Sequence, residues 1–260
     1  MRLLKLLLVV FVCGVAAPAV AGPFEDGVAA HDNGDYATAL RLWRPLAEQG
    51  YANARTNLGI MYYEGRGVPQ DYAAAVSWYR KAAEQGYANA QTNLGAMYNM
   101  GRGVPQDFAA AVMWYRKAAD QGEAVAQYNL ANMYDKGRSV PQDYAAAGSW
   151  YLKAAEQGYA SAQIKLSYMY SHGLGVPKDY AAAAEWLREA AEQGDVLAQS
   201  DLGDMYDMGR GVPQDYVQAH KWYNLADAVE LRDLVGAKMT PAQIAEAQKL
   251  ASEWFPKPTK

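Results

Sequence analysis

The sequence predicts an all-α protein: an α/α superhelix (solenoid) of 36-residue helix-turn-helix units with capping helices at its ends. Three observations carry this. The octapeptide Gly65-Arg66-Gly67-Val68-Pro69-Gln70-Asp71-Tyr72 returns at Gly101, Gly137, Gly173 and Gly209, without insertion or deletion. A fixed period of this length marks stacked supersecondary units. Between the copies, apolar residues recur at helical spacing and never alternate as in a strand. Glycine, proline and aspartate punctuate the chain in phase with both.

Residues 1–21 read as a secretory leader. Arg2 and Lys5 precede an apolar run from Leu6 to Ala17, and Ala19-Val20-Ala21 supplies a small-x-small cleavage pattern. The run is shorter than the roughly 20 residues of a membrane span. A retained anchor is the weaker reading, as is lipidation of Cys13, which Val12 suits poorly. Cys13 is the only cysteine, so cleavage leaves a chain without disulfide or thiol chemistry. It also takes the formal charge from −4 to −6, because Arg2 and Lys5 go and no acid goes with them. An acidic body without a basic cluster speaks against nucleic acid and anionic membrane surfaces. The expectation is a periplasmic or secreted protein, with no membrane insertion once the leader is removed.

Residues 22–50 form a degenerate capping repeat. Gly34-Asp35-Tyr36 matches the end of the octapeptide, but the proline loop is missing and Leu42 occupies the later tryptophan column. Five units follow, over 51–86, 87–122, 123–158, 159–194 and 195–230. In the first, helix A runs from about Asn53 to Glu64, with Ala54, Leu58, Met61 and Tyr62 on its apolar stripe. Gly65 can end it in the left-handed conformation, and Pro69 bars its extension. Asp71 then caps helix B, whose stripe holds Tyr72, Ala75, Trp78, Tyr79, Ala82 and Ala83. The five tryptophans of this column, Trp78 to Trp222, are expected in the core. In the last unit helix B is expected to run on through Ala228-Val229-Glu230. A capping helix within 231–256 starts at the Thr240-Pro241-Ala242-Gln243 box, presents Ile244, Ala247, Leu250, Ala251 and Trp254 to the open end, and stops at Pro256. Lys257 to Lys260 read as a loose tail.

The signature Ala-x3-Leu-Gly-x-Met-Tyr-x2-Gly-x-Gly-Val-Pro-Gln-Asp-Tyr-x2-Ala-x2-Trp-Tyr-x2-Ala-Ala-Glu-Gln-Gly, read from Ala54 to Gly86, resembles the Sel1-like repeat family, over about residues 35–254. Departures are Ser139 for the second octapeptide glycine, Leu174 and Lys178 in the arginine and glutamine columns, and Ala131 and Ser167 for the helix-A glycine. The resemblance implies a solenoid related to tetratricopeptide arrays whose members act mostly as adaptors in signalling, envelope assembly or host interaction. It implies no single reaction or ligand.

Catalytic and metal chemistry find no foothold. His31, His172 and His220 read as surface polar residues, and no zincin, nucleophile-elbow or phosphate-loop pattern is present. Cofactors are not expected. Asp201, Asp204 and Asp207 read as a solvated acidic face, and Arg66, Arg102 and Arg210 as loop residues bonding nearby carbonyls. Binding is expected where the units differ, since the repeated columns build the core. On helix A the variable columns lie at i, i+3 and i+4 spacing, on one face. They hold Ile60 and Tyr63; Met100; Asn132 and Lys136; Tyr168 and His172; and Asp204, Asp207 and Met208, with Tyr128 on a neighbouring strip. If helix A lines the concave side, as in tetratricopeptide arrays, this is a groove with exposed tyrosines at 63, 128 and 168. The reading is an exported, non-catalytic scaffold binding other proteins or peptide segments. The alternatives are a secreted effector engaging a host protein and, more distantly, a cell-wall hydrolase or penicillin-binding activity.

Overall fold

The computed structural model describes residues 22–257; the leader, and Pro258 to Lys260 of the tail, lie outside them. The helices are α1 (Pro23–Asp32), α2 (Tyr36–Gln49), α3 (Ala52–Glu64), α4 (Tyr72–Ala83), α5 (Ala88–Met100), α6 (Phe108–Ala119), α7 (Ala124–Lys136) and α8 (Tyr144–Glu156). They continue with α9 (Ala160–His172), α10 (Tyr180–Glu192), α11 (Val196–Met208), α12 (Tyr216–Leu225), α13 (Val229–Gly236) and α14 (Pro241–Ser252). Odd and even helices from α3 to α12 are helix A and helix B of five stacked units; each helix from α1 to α12 packs against its neighbours in sequence, and α13 and α14 both pack on α12.

The octapeptide works as predicted and does more. Gly65 adopts the left-handed conformation (φ 73°), and the Asp71 carboxylate accepts from the Ala74 amide at 2.9 Å. The Gln70 amide reaches back to the Tyr63 carbonyl (2.8 Å), satisfying one of the carbonyls that a helix end leaves orphaned. Among the described residues no carbonyl accepts from Arg66, Arg102 or Arg210. Arg66 lies over the Tyr36 ring, Arg102 over Tyr72 and Arg138 over Phe108, at 5.4–5.6 Å. Each therefore ties a loop to the first helix-B residue of the preceding unit.

The second glycine of the octapeptide meets that same place. A Cβ on Gly103 would run into the Tyr72 carbonyl. Ser139 occupies this column in the third unit with φ 57°, a conformation that disfavours any side chain. Ser139→Gly is expected to stabilise by about 1 kcal/mol, raising the melting temperature by about 2–4 °C for a chain of this size, readable by calorimetry.

The core differs from expectation in one column. Tyr79, Tyr115, Tyr151 and Tyr223 are all deeply buried, whereas of the five tryptophans Trp114 and Trp222 are buried as expected and Trp78, Trp150 and Trp186 are only half-buried. A lysine ammonium covers the outer ring face of Trp78, Trp114, Trp150 and Trp222, at 3.9–4.6 Å. The tyrosine ring lies flush on the helix-A glycine: a Cβ on Gly95 would come within 2.8 Å of Tyr115. This is the close approach that keeps the column small at Ala131 and Ser167.

Buried glutamines stitch successive units. Gln91, Gln127, Gln163 and Gln199 donate to Ala83, Ala119, Ala155 and Ala191 carbonyls at the end of the preceding helix B. The first three in turn accept from Gln121, Gln157 and Gln193, at 2.7–2.8 Å. The recurrent Gln-Gly ending thus supplies one half of an inter-unit ladder.

Both caps are adapted units. Trp43 takes the tyrosine column of the N-terminal repeat, and its indole N–H donates to the Phe24 carbonyl (3.1 Å), holding α1 in the place of a helix A. At the other end helix B does not run on. It stops at Leu225, Asp227 turns the chain with φ 53°, and α13 starts two residues later. The early stop lets α13 lay buried Val235 against Ala219 and Tyr223. The cap is therefore two helices; α14 follows with its predicted capping box, and Trp254 meets Trp222 edge to face at 6.4 Å. Lys257 is not loose, since its amide donates to the Glu192 carbonyl (2.7 Å).

His220 is not a surface residue either. It is 4 % exposed, beneath Gly236 of α13, and its Nδ1 has no partner among the described residues. Burial, then the Arg232 charge, lowers its pKa from 6.5. A histidine held neutral in the folded state contributes stability above pH 6.5 that declines as pH falls below it. Urea melts at pH 7.5 and 5.5 are expected to show a loss at the lower pH that is smaller in His220→Leu.

Candidate interaction groove

The variable columns of helix A do two different jobs. Position 60 and its counterparts face the residue 19 positions later on helix B. Where that residue is Tyr151, its hydroxyl donates to Asn132 (2.8 Å); where it is Tyr223, the hydroxyl donates to Asp204 (2.6 Å). Asn132 and Asp204 are thus engaged inside the array. In the fourth unit the helix-B residue is Leu187, the only non-aromatic member of its column, and it lines the same groove as Tyr168, 19 positions earlier. Leucine has neither the length nor the hydroxyl to engage a partner, so Tyr168 has no helix-B hydroxyl to meet, and Leu187 itself is buried. Tyr168 swings outward, 54 % exposed, and stacks on His172 with ring centroids 4.1 Å apart.

Leu187 lies at the base of a groove of about 750 Å³ between α9 and α11. Ile164, Tyr168, Met205 and Met208 wall it, with Tyr128 of α7 on one side. Met208 is 51 % exposed. Lys178 also opens onto it: standing where other units have the helix-capping glutamine, it lies over the Tyr180 ring at 4.8 Å. Opposite, Asp201 is partly buried, and burial, with Asp204 and Asp195 behind it, holds its carboxyl above the usual range.

Of the predicted contact residues, Tyr128, Tyr168, His172, Asp204 and Met208 come together here. Asn132 and Lys136 instead flank a smaller cavity of about 230 Å³, also touched by Tyr128. Ile60 and Tyr63 pack on the core of the first full unit. Tyr63 is not the exposed aromatic it was expected to be: it sits against Tyr72 (5.4 Å) and its hydroxyl accepts from Arg102. Tyr128 is likewise half-buried, between Tyr151 and Tyr159 at 5.6 and 5.2 Å. Met100 is exposed, apart from the groove. Asp207 is held by Lys238 of the C-terminal cap at 2.8 Å. The acidic face is therefore not simply solvated, since two of its three carboxylates have internal partners. Leu187, Lys178, Asp195 and Arg210 line the groove and were absent from the predicted set; the broken tyrosine and glutamine columns at 187 and 178 were the available signal.

Among the described residues no group of three or more His, Cys, Asp or Glu is placed to hold a metal ion, and no helix is long and apolar enough to cross a membrane. Stacked helix pairs with a side-chain groove between units define a repeat scaffold. The chain belongs to the Sel1 repeat family, whose repeat matches residues 26–51, 52–87, 88–123, 124–159, 160–195 and 196–226. It is similar to a Sel1 repeat protein from Oxalobacter formigenes, 33% identical over 89% of this chain and 96% of that one, with a TM-score of 0.77. An immunity protein from Pseudomonas aeruginosa shares the fold at 21% identity, over 85% of this chain and 84% of its own, with a TM-score of 0.54. None of the curated proteins matches. Sel1 repeat proteins generally mediate protein–protein interaction, and their fold is typically a non-catalytic scaffold.

Proposed function

We propose that this protein is an exported, non-catalytic adaptor of envelope signalling, assembly or regulation, binding a segment of another protein on its helix-A surface between the fourth and fifth units. One observation carries this reading: the α9–α11 groove, where exposed Tyr168 and Met208 stand on an opening that no side chain among the described residues fills. Tyrosine offers a large apolar face and a hydroxyl at small conformational cost, as binding surfaces require. Export rests on the pattern of residues 1–21. The test places a photo-crosslinking residue at Tyr168 in cells, followed by fractionation and partner identification. A partner protein recovered from the envelope fraction is the expected result, and Tyr168→Ala/Met208→Ala is expected to reduce its capture at unchanged circular dichroism. Undiminished capture by that double variant places binding elsewhere. A cytoplasmic location overturns export.

A further inference from the structure

The groove is electrically lopsided along its length. Asp195 caps the N-terminus of α11 and Asp201 lies on its second turn, while Arg210 and Lys178 stand in the loops beyond the C-termini of α11 and α9. Among the described residues no ion pair neutralises any of these four, nor Lys165, which lies midway. Each end feels its own charge. The Asp201 carboxyl is pushed up by burial and by its acidic neighbours, and the Tyr180 hydroxyl is drawn down by Lys178 and then Arg210. The distance is set by α9: from Ser161 to His172 the chain rises about 16 Å, the span of about five residues of extended peptide. Between the ends lies the apolar floor over Leu187.

The geometry points to an extended segment of a partner protein with one basic side chain directed to Asp195 and Asp201, an aromatic or large aliphatic side chain over Leu187, and a carboxylate directed to Lys178 and Arg210. This rests on the adaptor reading and specifies its ligand. A polyanion is disfavoured by the acidic end and a polycation by the basic end, so charge selects a segment carrying both signs about four residues apart. The apolar middle of the groove selects what lies between them.

Three fluorescent peptides test it by anisotropy: Lys-Ser-Phe-Ser-Glu, Lys-Ser-Phe-Ser-Lys and Glu-Ser-Phe-Ser-Glu, each blocked at both termini. The mixed peptide is expected to bind about tenfold tighter than either like-charged one, since complementary charge acts mainly through selectivity. Lys178→Glu/Arg210→Glu, at two exposed loop positions, is expected to transfer that preference to the two-lysine peptide. Ser167→Gly/Leu187→Tyr installs the glycine–tyrosine pair of the first, second and fifth units and narrows the groove at its base; it is expected to weaken all binding about tenfold, for loss of the buried ring, with the melting temperature maintained. Equal binding of the three peptides, no binding of the mixed peptide up to millimolar concentration, or an unmoved preference in the charge-reversed variant overturns the assignment. If any of these occurs while Tyr168 still crosslinks to an envelope protein, the charge assignment alone falls and the adaptor reading stands; absence of any crosslink with the peptide pattern intact does the reverse.

Discussion

Tyr151→Ala is expected to destabilise the protein by about 3–5 kcal/mol, the range for removing a large buried aromatic side chain. The ring is 1 % exposed, lies among Ala131, Ala147 and Leu166, and donates its hydroxyl to Asn132. Truncation therefore opens a cavity and strands a polar acceptor together. Trp150→Ala is expected to cost less, although tryptophan is larger, because that side chain is half-buried under Lys153. The position in the array adds a second readout. Stability in a stacked solenoid is close to a sum of unit and interface contributions, and Tyr151 belongs to the central unit. Its loss is expected to broaden the urea transition or split it into two steps, as the units on either side uncouple. A single sharp transition with an unchanged midpoint would contradict both the burial and the coupling.

That ranking of Tyr151 above Trp150 shows where sequence reasoning reached its limit. The octapeptide was readable because its chemistry is local: glycine past a helix end, proline in the loop and aspartate at the next cap act within a few residues. The tryptophan and tyrosine columns are adjacent, about 100° apart on one helix, and both fall within a broad apolar stripe. Which of them points at the next unit depends on how helices cross, and the sequence period does not carry that angle. The groove was hidden for a related reason. Tyr168 and Leu187 are informative only as a pair, and their pairing across 19 residues emerges once the Asn132–Tyr151 and Asp204–Tyr223 bonds are seen. Read singly, all the variable positions looked like binding surface, including Ile60, Tyr63, Asn132 and Asp204, which serve the array's own interior. His220 was misread because its cover, α13, begins after a turn at Asp227 that no glycine announces.

The glutamine ladder supports the second large effect, which carries a sign in pH. Gln163 is buried; its amide donates to the Ala155 carbonyl at 3.2 Å and its oxygen accepts from Gln193 at 2.8 Å. Gln163→Glu keeps the shape and the acceptor but removes the donor, setting a desolvated carboxylate against a carbonyl oxygen. The expected cost near neutral pH is about 3–5 kcal/mol, as for a buried charge whose partner is missing. Burial raises the folded pKa of the new acid above its unfolded value of about 4.3, so the folded state takes up a proton first. The deficit is therefore largest above the folded pKa and shrinks as pH falls through it, when the acid regains an O–H to donate to Ala155. Gln163→Leu strands both neighbouring groups without adding charge, and is expected to cost about 1–3 kcal/mol at every pH. Urea melts of the two variants between pH 7.5 and 5 are expected to converge as the pH is lowered. Parallel curves would mean that the Gln163 side chain reaches water, and that this rung of the ladder does not join the two units.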